Sequence, residues 1–198
     1  IIVIALAVVF VLLPVARYLE EGRFSNLDFN VNRVKDAGAD DSDVRYEVHT
    51  GKASVEYAWV QYAGKQIGDI DWGALSVTFN DGDEEDLAAI SDDGSGSYYL
   101  VTLELQNTTD ADLNMTAVQE EDVTFFLDQR SIPCLKVFYG YFDVIEWGGN
   151  YGYLDCLIYL PDEWAYEYEP DGCMTFSGTV DVGLEETLPF TADYYFET

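Results

Sequence analysis

The residue types that could perform catalysis form no recognisable arrangement in this sequence. His49 is the only histidine among the 198 residues, so a Ser-His-Asp arrangement would have to use it. It lies in an alternating, strand-like segment, and no GxSxG motif is nearby. The 38 acidic residues provide many neighbouring carboxylates, and spacing alone selects no catalytic pair from them. We therefore predict that the protein is not an enzyme.

The three cysteines, Cys134, Cys156 and Cys173, lie in the last third of the chain, in or beside apolar runs. None belongs to a CxxC pair, and one histidine adds little to a ligand set, so we expect no zinc site. In an exported protein, three cysteines suit one disulfide and one buried thiol. The sequence leaves the pairing open.

Acidic loops occur at residues 40–43, 81–86 and 92–94. They supply the oxygen ligands that Ca²⁺ prefers, but none has the spacing of an EF-hand loop. We expect solvated turns and no cofactor, with Ca²⁺ binding by one of these loops as the alternative. The formal net charge of -29 repels nucleic acid, which is excluded as a partner.

Two sequence motifs mark acceptors for N-glycosylation, at Asn107 and Asn114. Aromatic residues are also concentrated near the C-terminal third of the chain. They are Trp147, Tyr151, Tyr153, Tyr159, Trp164, Tyr166 and Tyr168. We expect these rings to pack in the core and on the sheet, with contact to a carbohydrate or another subunit as the alternative.

The chain begins with an apolar run that carries no charge from Ile1 to Ala16. As a helix this run is roughly 24 Å long, and we predict a hydrophobic helix over residues 1–21. Because it is apolar on every face, lipid or other apolar helices must surround it. A residual signal peptide, a membrane anchor and a processed helix at a filament core are the three interpretations. In a filament core the contacts would come from Ile1, Ile4, Val8, Val11, Leu12 and Val15.

The remainder of the chain divides into a polar linker, 22–43, and a strand-rich region, 44–198. In the second region the period of apolar and polar residues changes to two. The segments of this strand series are 44–50, 53–63, 74–80, 97–106, 113–118, 123–128, 131–139, 151–160, 173–182 and 190–197, with a further apolar segment at 86–91. About ten to twelve such segments, with no long helical pattern after residue 21, predict a β-sandwich domain over 44–198. The predicted fold class is mainly β, with one long hydrophobic helix in front.

This layout, IIVIALAVVFVLLPVARYLEEG followed by a β-rich region, resembles the type IV pilin-like superfamily, in particular archaeal pilins and archaellins. The resemblance implies a helix packed at a filament core and an immunoglobulin-like head. Pro14 would kink that helix. Ala5 stands where bacterial type IV pilins carry an acidic residue, which is a departure from their pattern. Residues 97–130 also resemble an immunoglobulin-like module of Gram-positive surface proteins, which implies an exported β-sandwich.

From these observations we predict the structural subunit of an extracellular, pilus-like filament at the cell surface. The subunit would lie in the membrane before assembly and would then polymerise with copies of itself through its helix. The acidic β domain, a candidate glycoprotein, would face outward. The alternative is a membrane-anchored cell-surface binding protein that displays an immunoglobulin-like domain.

Overall fold

The computed structural model describes residues 30–34, 45–49, 52–91, 93–140 and 143–196, the first two as backbone only. The strands are β1 (Asn30–Val34), β2 (Arg45–His49), β3 (Ala53–Gly64), β4 (Gly96–Asn107), β5 (Leu113–Asn114), β6 (Val123–Leu127), β7 (Arg130–Tyr139), β8 (Val144–Ile145), β9 (Asn150–Pro161), β10 (Cys173–Val180) and β11 (Leu188–Tyr195). The helices are α1 (Asp83–Ala89) and α2 (Asp162–Tyr168). Short 3₁₀ turns are found at Ile67–Asp69, Met115–Ala117, Glu120–Asp122 and Glu169–Asp171.

Seven strands close into a barrel in the order β10-β11-β3-β4-β9-β7-β6, and β6 pairs back with β10. Neighbouring strands are antiparallel except β11 and β3, which run parallel where Asp193 meets Trp59. An odd number of strands cannot alternate direction around a closed ring, so at least one parallel neighbour is required. The predicted β-sandwich is therefore wrong. Alternation with period two reports which side chains share a face, and a sandwich and a barrel produce the same alternation.

Closure depends on the contact between β6 and β10, and Gly178 permits that contact. A Cβ atom at position 178 would lie 2.0 Å from the carbonyl oxygen of Thr124 on β6 and 2.5 Å from the ring of Phe190 on β11. Any larger residue would separate the strands that complete the ring. Inside the barrel, apolar side chains from all seven strands form the main core. Its fully buried members include Leu103, Leu105, Phe125, Leu154, Ile158 and Phe176.

The chain between β3 and β4 covers part of the outer face of the barrel. We call residues 65–91 the covering segment. Ile70 and Leu87 from this segment pack on Leu100, Phe138 and Leu157 of the sheet, forming a second apolar cluster. Because of this cover, part of the sheet is buried on both faces, as its near-continuous apolar runs require.

The covering segment differs from the sequence prediction, which placed strands at 74–80 and 86–91. Residues 71–77 form turns instead, and α1 occupies Asp83–Ala89. Four acidic residues in the first turn of α1 suit the positive end of a helix dipole, and this favours helix over strand. The short apolar run 87–90 was a weaker signal than this charge placement.

The resemblance to type IV pilins is corrected by this fold. The expected immunoglobulin-like head is wrong, because the strands of 97–130 belong to the closed barrel or to a small sheet beside it. The associated descriptions as a pilin, as type IV pilus-like and as a hydrophobic-helix protein lose their structural support. The predicted helix 1–21, with its contact residues, lies outside the described residues. Among the helices of the described ranges, none combines the length and apolarity needed to cross a bilayer.

Strand β1 lies within the segment predicted as a linker, 22–43. It pairs antiparallel with β2 along its whole length, from Asn30 opposite His49 to Val34 opposite Arg45. This pair forms a two-stranded sheet separate from the barrel.

Candidate ligand-binding cleft

One row of side chains crosses the outer face of the barrel on four neighbouring strands. Trp59 on β3 is opposite Thr102 on β4, Thr102 is opposite Asp155 on β9, and Asp155 is opposite Phe138 on β7. Residues paired in this way project to the same side of a sheet. Phe138 is buried under the covering segment, whereas Trp59 is 38% exposed. The row thus passes from the covered to the open part of the face at Thr102 and Asp155.

A cleft of about 490 Å³ lies at this boundary, a volume typical of small-molecule sites. The rings of Trp59 and Tyr153 stand beside each other with centroids 6.2 Å apart and planes at 69°. Strands β3, β4 and β9, the end of β7 and the covering segment all contribute to the lining. The lining residues are Trp59, Gln61, Ala74, Leu75, Ser76, Thr78, Thr102, Gly140, Gly152, Tyr153 and Asp155.

The carboxyl group of Asp155 is the most buried charged group of the cleft, and the residue is only 8% exposed. The Thr102 hydroxyl donates a hydrogen bond to Asp155 Oδ1. Within the described residues no group donates to Asp155 Oδ2. Burial raises the pKa of Asp155, and the hydrogen bond from Thr102 offsets only part of this effect. Asp155 Oδ2 is not one of the fully buried atoms without a hydrogen-bond partner, so this oxygen opens on the cleft, where water or a ligand can reach it.

The edge of the cleft formed by the covering segment is held in a defined shape. Leu75 N donates to Asp71 O over 3.2 Å, and Val77 N donates to Trp72 O over 3.2 Å. The Trp72 ring packs on Phe138 at 5.7 Å between centroids, which attaches these turns to the sheet. Ser76, in the cleft lining, has a φ of 59°, an uncommon conformation for a residue other than glycine. Backbone strain of this kind is frequent at binding sites.

An ion-pair network that is buried at Asp83 and exposed at Asp86 attaches α1 to β7 beneath the same segment. Lys136 Nζ lies 3.1 Å from Asp83 Oδ1 and 2.7 Å from Asp86 Oδ2. Burial alone lowers the pKa of Lys136, but hydrogen bonds to Asp86 and Asp83 outweigh it and the pKa is raised. Lys136 therefore remains charged. Its ionic contacts and the apolar contacts of Ile70 and Leu87 together position the covering segment.

The two predicted glycosylation acceptors occupy different environments. Asn107 is fully buried, and its Nδ2 donates to Ala111 O and Ile145 O, each over 2.9 Å. Asn114 is exposed, and its Oδ1 accepts from Thr116 N over 3.2 Å. A glycan on Asn107 would have to replace these buried hydrogen bonds, whereas Asn114 is accessible. Glycosylation stays a prediction at both positions.

The predicted disulfide candidates also separate into two groups. Cys134 and Cys156 lie on the neighbouring strands β7 and β9, and both contribute to the barrel core. Burial raises the pKa of the Cys156 thiol, and a hydrogen bond with the Cys134 thiol raises it further. Cys173 lies on β10, opposite Tyr195. All three are reduced in this structure.

The acidic loops that were candidates for Ca²⁺ show no gathered ligand set. Across residues 52–91, 93–140 and 143–196, no three His, Cys, Asp or Glu side chains come close enough together to hold a metal ion. Asp83 is buried and paired with Lys136, while residues 40–43 lie outside the described residues. Ca²⁺ binding by residues 40–43 stays a prediction.

Of the aromatic residues singled out in the sequence, Tyr153 forms a wall of the cleft and is 46% exposed. Tyr151 is its exposed neighbour on the same face, where its hydroxyl accepts from Gln106 Nε2 over 2.7 Å. Trp164 belongs to α2 and packs under Arg130, whose Cζ is 5.1 Å from the ring centroid. Some residues of the aromatic stretch therefore pack against other side chains, and others lie on the exposed surface.

Sequence analysis missed Trp59, Thr102 and Asp155. One signal was present: Asp155 interrupts the apolar run LDCLIYL of β9, where a strand buried on both faces carries no acid without a reason. Trp59 and Thr102 gave no comparable signal, because each is an ordinary member of an alternating strand. Their importance follows from cross-strand register, which one sequence does not reveal.

Comparison of the chain with models of protein families, with curated proteins and with solved structures finds no match in any of the three. The resemblances to type IV pilins and to Gram-positive immunoglobulin-like modules thus gain no support from relatives.

Proposed function

We propose that this protein is a cell-surface binding protein whose β-barrel carries a ligand site in the cleft between Trp59, Tyr153 and Asp155. The observation that carries the proposal is a pre-shaped cleft that combines exposed aromatic rings with a largely buried carboxylate, one oxygen of which opens on the cleft. Binding sites commonly consist of an apolar concave surface with a few convergent polar groups.

The uneven exposure of the aromatic residues supports this proposal. Tyr57, Trp59, Tyr151 and Tyr153 lie on the outer faces of β3 and β9, and each is well exposed. Water contact of so many rings is unfavourable in a protein without a partner. Rings of this kind, next to a covered apolar face, suit contact with a ligand.

The surface location rests on sequence features alone: the apolar run 1–16 and the strongly acidic composition. The filament function predicted above depends on residues 1–21 and stays a prediction. We place the binding function first because its site lies among the described residues.

The binding function is tested by titrating the purified full chain with choline, cellobiose and glycerol phosphate as cationic, neutral and anionic probes. We expect at least one probe to bind, and Trp59→Ala to weaken that binding at least tenfold. Trp147→Ala is the matched control, since Trp147 is similarly exposed but lies outside the cleft. Absence of binding by every probe, or equal effects of the two variants, would contradict a ligand site in this cleft.

The location is tested on intact cells with a membrane-impermeant amine reagent. The exposed Lys52 and Lys65 are expected to react without lysis. Labelling that requires lysis would exclude the cell surface.

A further inference from the structure

We propose that the ligand of the cleft is an organic ammonium cation, a positively charged nitrogen with alkyl substituents, held against the rings of Trp59 and Tyr153 and beside the carboxylate of Asp155. This inference rests on the proposed binding function and assigns it a ligand class. The necessary groups all line one cleft.

The two rings supply walls suited to such a cation. Their planes meet at 69°, so the cleft offers two non-parallel aromatic surfaces rather than a single flat platform. The electron-rich face of an aromatic ring attracts cations, and tryptophan does so most strongly. Alkyl groups on the nitrogen also gain from contact with the rings and with Ala74 and Leu75 of the lining.

Asp155 supplies the countercharge. Its Oδ1 already accepts from Thr102, and its Oδ2 has no donor among the described residues. Because the carboxylate is buried, water screens it weakly, and a cation close to it is attracted more strongly than at the surface. A cation in the cleft would reach Oδ2, the carboxylate oxygen that opens on the cleft.

The electrostatic surroundings of the cleft also favour a positively charged ligand. No Lys, Arg or His lines the cleft in the described part of the chain, and the full sequence has a formal net charge of -29. Such a field concentrates cations and repels anions. A bare metal ion is poorly served, because Ca²⁺ requires six to eight oxygen ligands whereas this lining is mainly apolar. A neutral saccharide would use the rings but would leave the buried carboxylate unneutralised.

The test compares choline with 3,3-dimethyl-1-butanol, which has the same shape with carbon in place of the charged nitrogen. The full chain is titrated by calorimetry in a polyoxyethylene detergent, which carries neither sugar nor ammonium. We expect choline to bind at least tenfold more tightly than the neutral analogue. Asp155→Asn should reduce choline binding at least tenfold. Glu185→Gln, which removes one charge from an exposed loop outside the cleft, should leave choline binding unchanged.

A second arm distinguishes the sources of the ammonium group. Free choline is compared with vesicles of phosphatidylcholine, and binding of either one supports an ammonium site. Equal binding of choline and its neutral analogue, or binding of cellobiose without choline, would overturn the ligand class while leaving the binding function in place. If no probe binds, both proposals fail.

Discussion

At the residue scale, Asp155 is the side chain whose environment is hardest to explain by folding alone. It is a carboxylate on an apolar strand, buried, with a single hydrogen-bond donor in the described part of the chain. Two effects oppose each other there: burial raises its pKa, and the Thr102 hydroxyl lowers it. Groups kept at a cost to stability are commonly those used for binding.

We expect Asp155→Asn to stabilise the protein at neutral pH. Between the ordinary pKa of an aspartate and the raised pKa of Asp155, the folded state binds more protons than the unfolded state. The free energy of unfolding therefore falls as pH rises through this range, and the amide removes that loss. A gain on the order of 1 kcal/mol, or about 2–4 °C in Tm, is expected from thermal unfolding at pH 7.

The control for this experiment is Asp93→Asn, since Asp93 is fully exposed and hydrogen bonds to Ser95 and Tyr159 lower its pKa. That variant should bring no stabilisation at neutral pH. Equal Tm values for Asp155→Asn and the parent at pH 7 would mean that the buried carboxylate carries no cost.

We expect Cys134 and Cys156 to be the pair that forms a disulfide under oxidising conditions. Both lie on neighbouring strands and contribute to the barrel core, with Cys134 opposite Ile158 and Cys156 opposite Val137, whereas Cys173 belongs to a different strand of the barrel. A disulfide requires Cβ atoms about 3.5–4.5 Å apart, and among the three cysteines only these two share neighbouring strands of the barrel. Peptide mapping by mass spectrometry without reduction should find the 134–156 cross-link and an alkylated Cys173.

In this mapping, Cys173→Ser serves as the control and should retain the cross-link, while Cys134→Ser should abolish it. A cross-link that includes Cys173 in the folded protein would contradict the assignment.

At the element scale, the covering segment converts a two-sided apolar sheet into a partly open face with a cleft. Its turns form one edge of the cleft, and α1 attaches the segment to β7 through Lys136. The exposed rings begin where this cover ends. Residues of the outer face that lie under the covering segment are therefore used for packing, and residues beyond it are available for binding.

We expect Lys136→Met to destabilise the protein by about 3–5 kcal/mol. The side chain of Asp83 is 5% exposed, and removal of its partner would leave a buried, uncompensated charge. Urea unfolding monitored by tryptophan fluorescence measures the loss, because Trp72 lies in the covering segment.

The matched control is Lys65→Met, which removes a more exposed lysine paired with Asp162 and should cost at most about 1 kcal/mol. The double variant Lys136→Met/Asp83→Asn should recover part of the stability. Similar losses for the two lysine variants would show that the buried network is not the attachment of α1.

At the scale of the whole molecule, the two main features are the closure of the barrel and the negative net charge. In the ring of seven strands each strand has a neighbour on both sides, although β11 and β3 share only the pair of Asp193 with Trp59. The formal net charge of -29 places many like charges on one chain, and their repulsion opposes the compact state.

We expect added salt to stabilise the folded chain. An increase in sodium chloride from about 0.01 M to 0.15 M shortens the screening length from about 30 Å to about 8 Å and weakens the repulsion between carboxylates. The Tm measured by circular dichroism should rise over this range. A Tm that stays constant or falls would show that attractive ion pairs, such as those of Lys136, outweigh the repulsion.

The sequence by itself determined that this protein is rich in strands, strongly acidic and provided with a single histidine. Most barrel strands coincide with predicted alternating segments, because alternation follows directly from the two faces of a strand. Only the tertiary structure decided between a sandwich and a closed barrel, since the pairing of β6 with β10 joins residues distant in sequence. It also decided the cleft: Trp59, Thr102 and Asp155 come from three strands, and register alone brings them into one row.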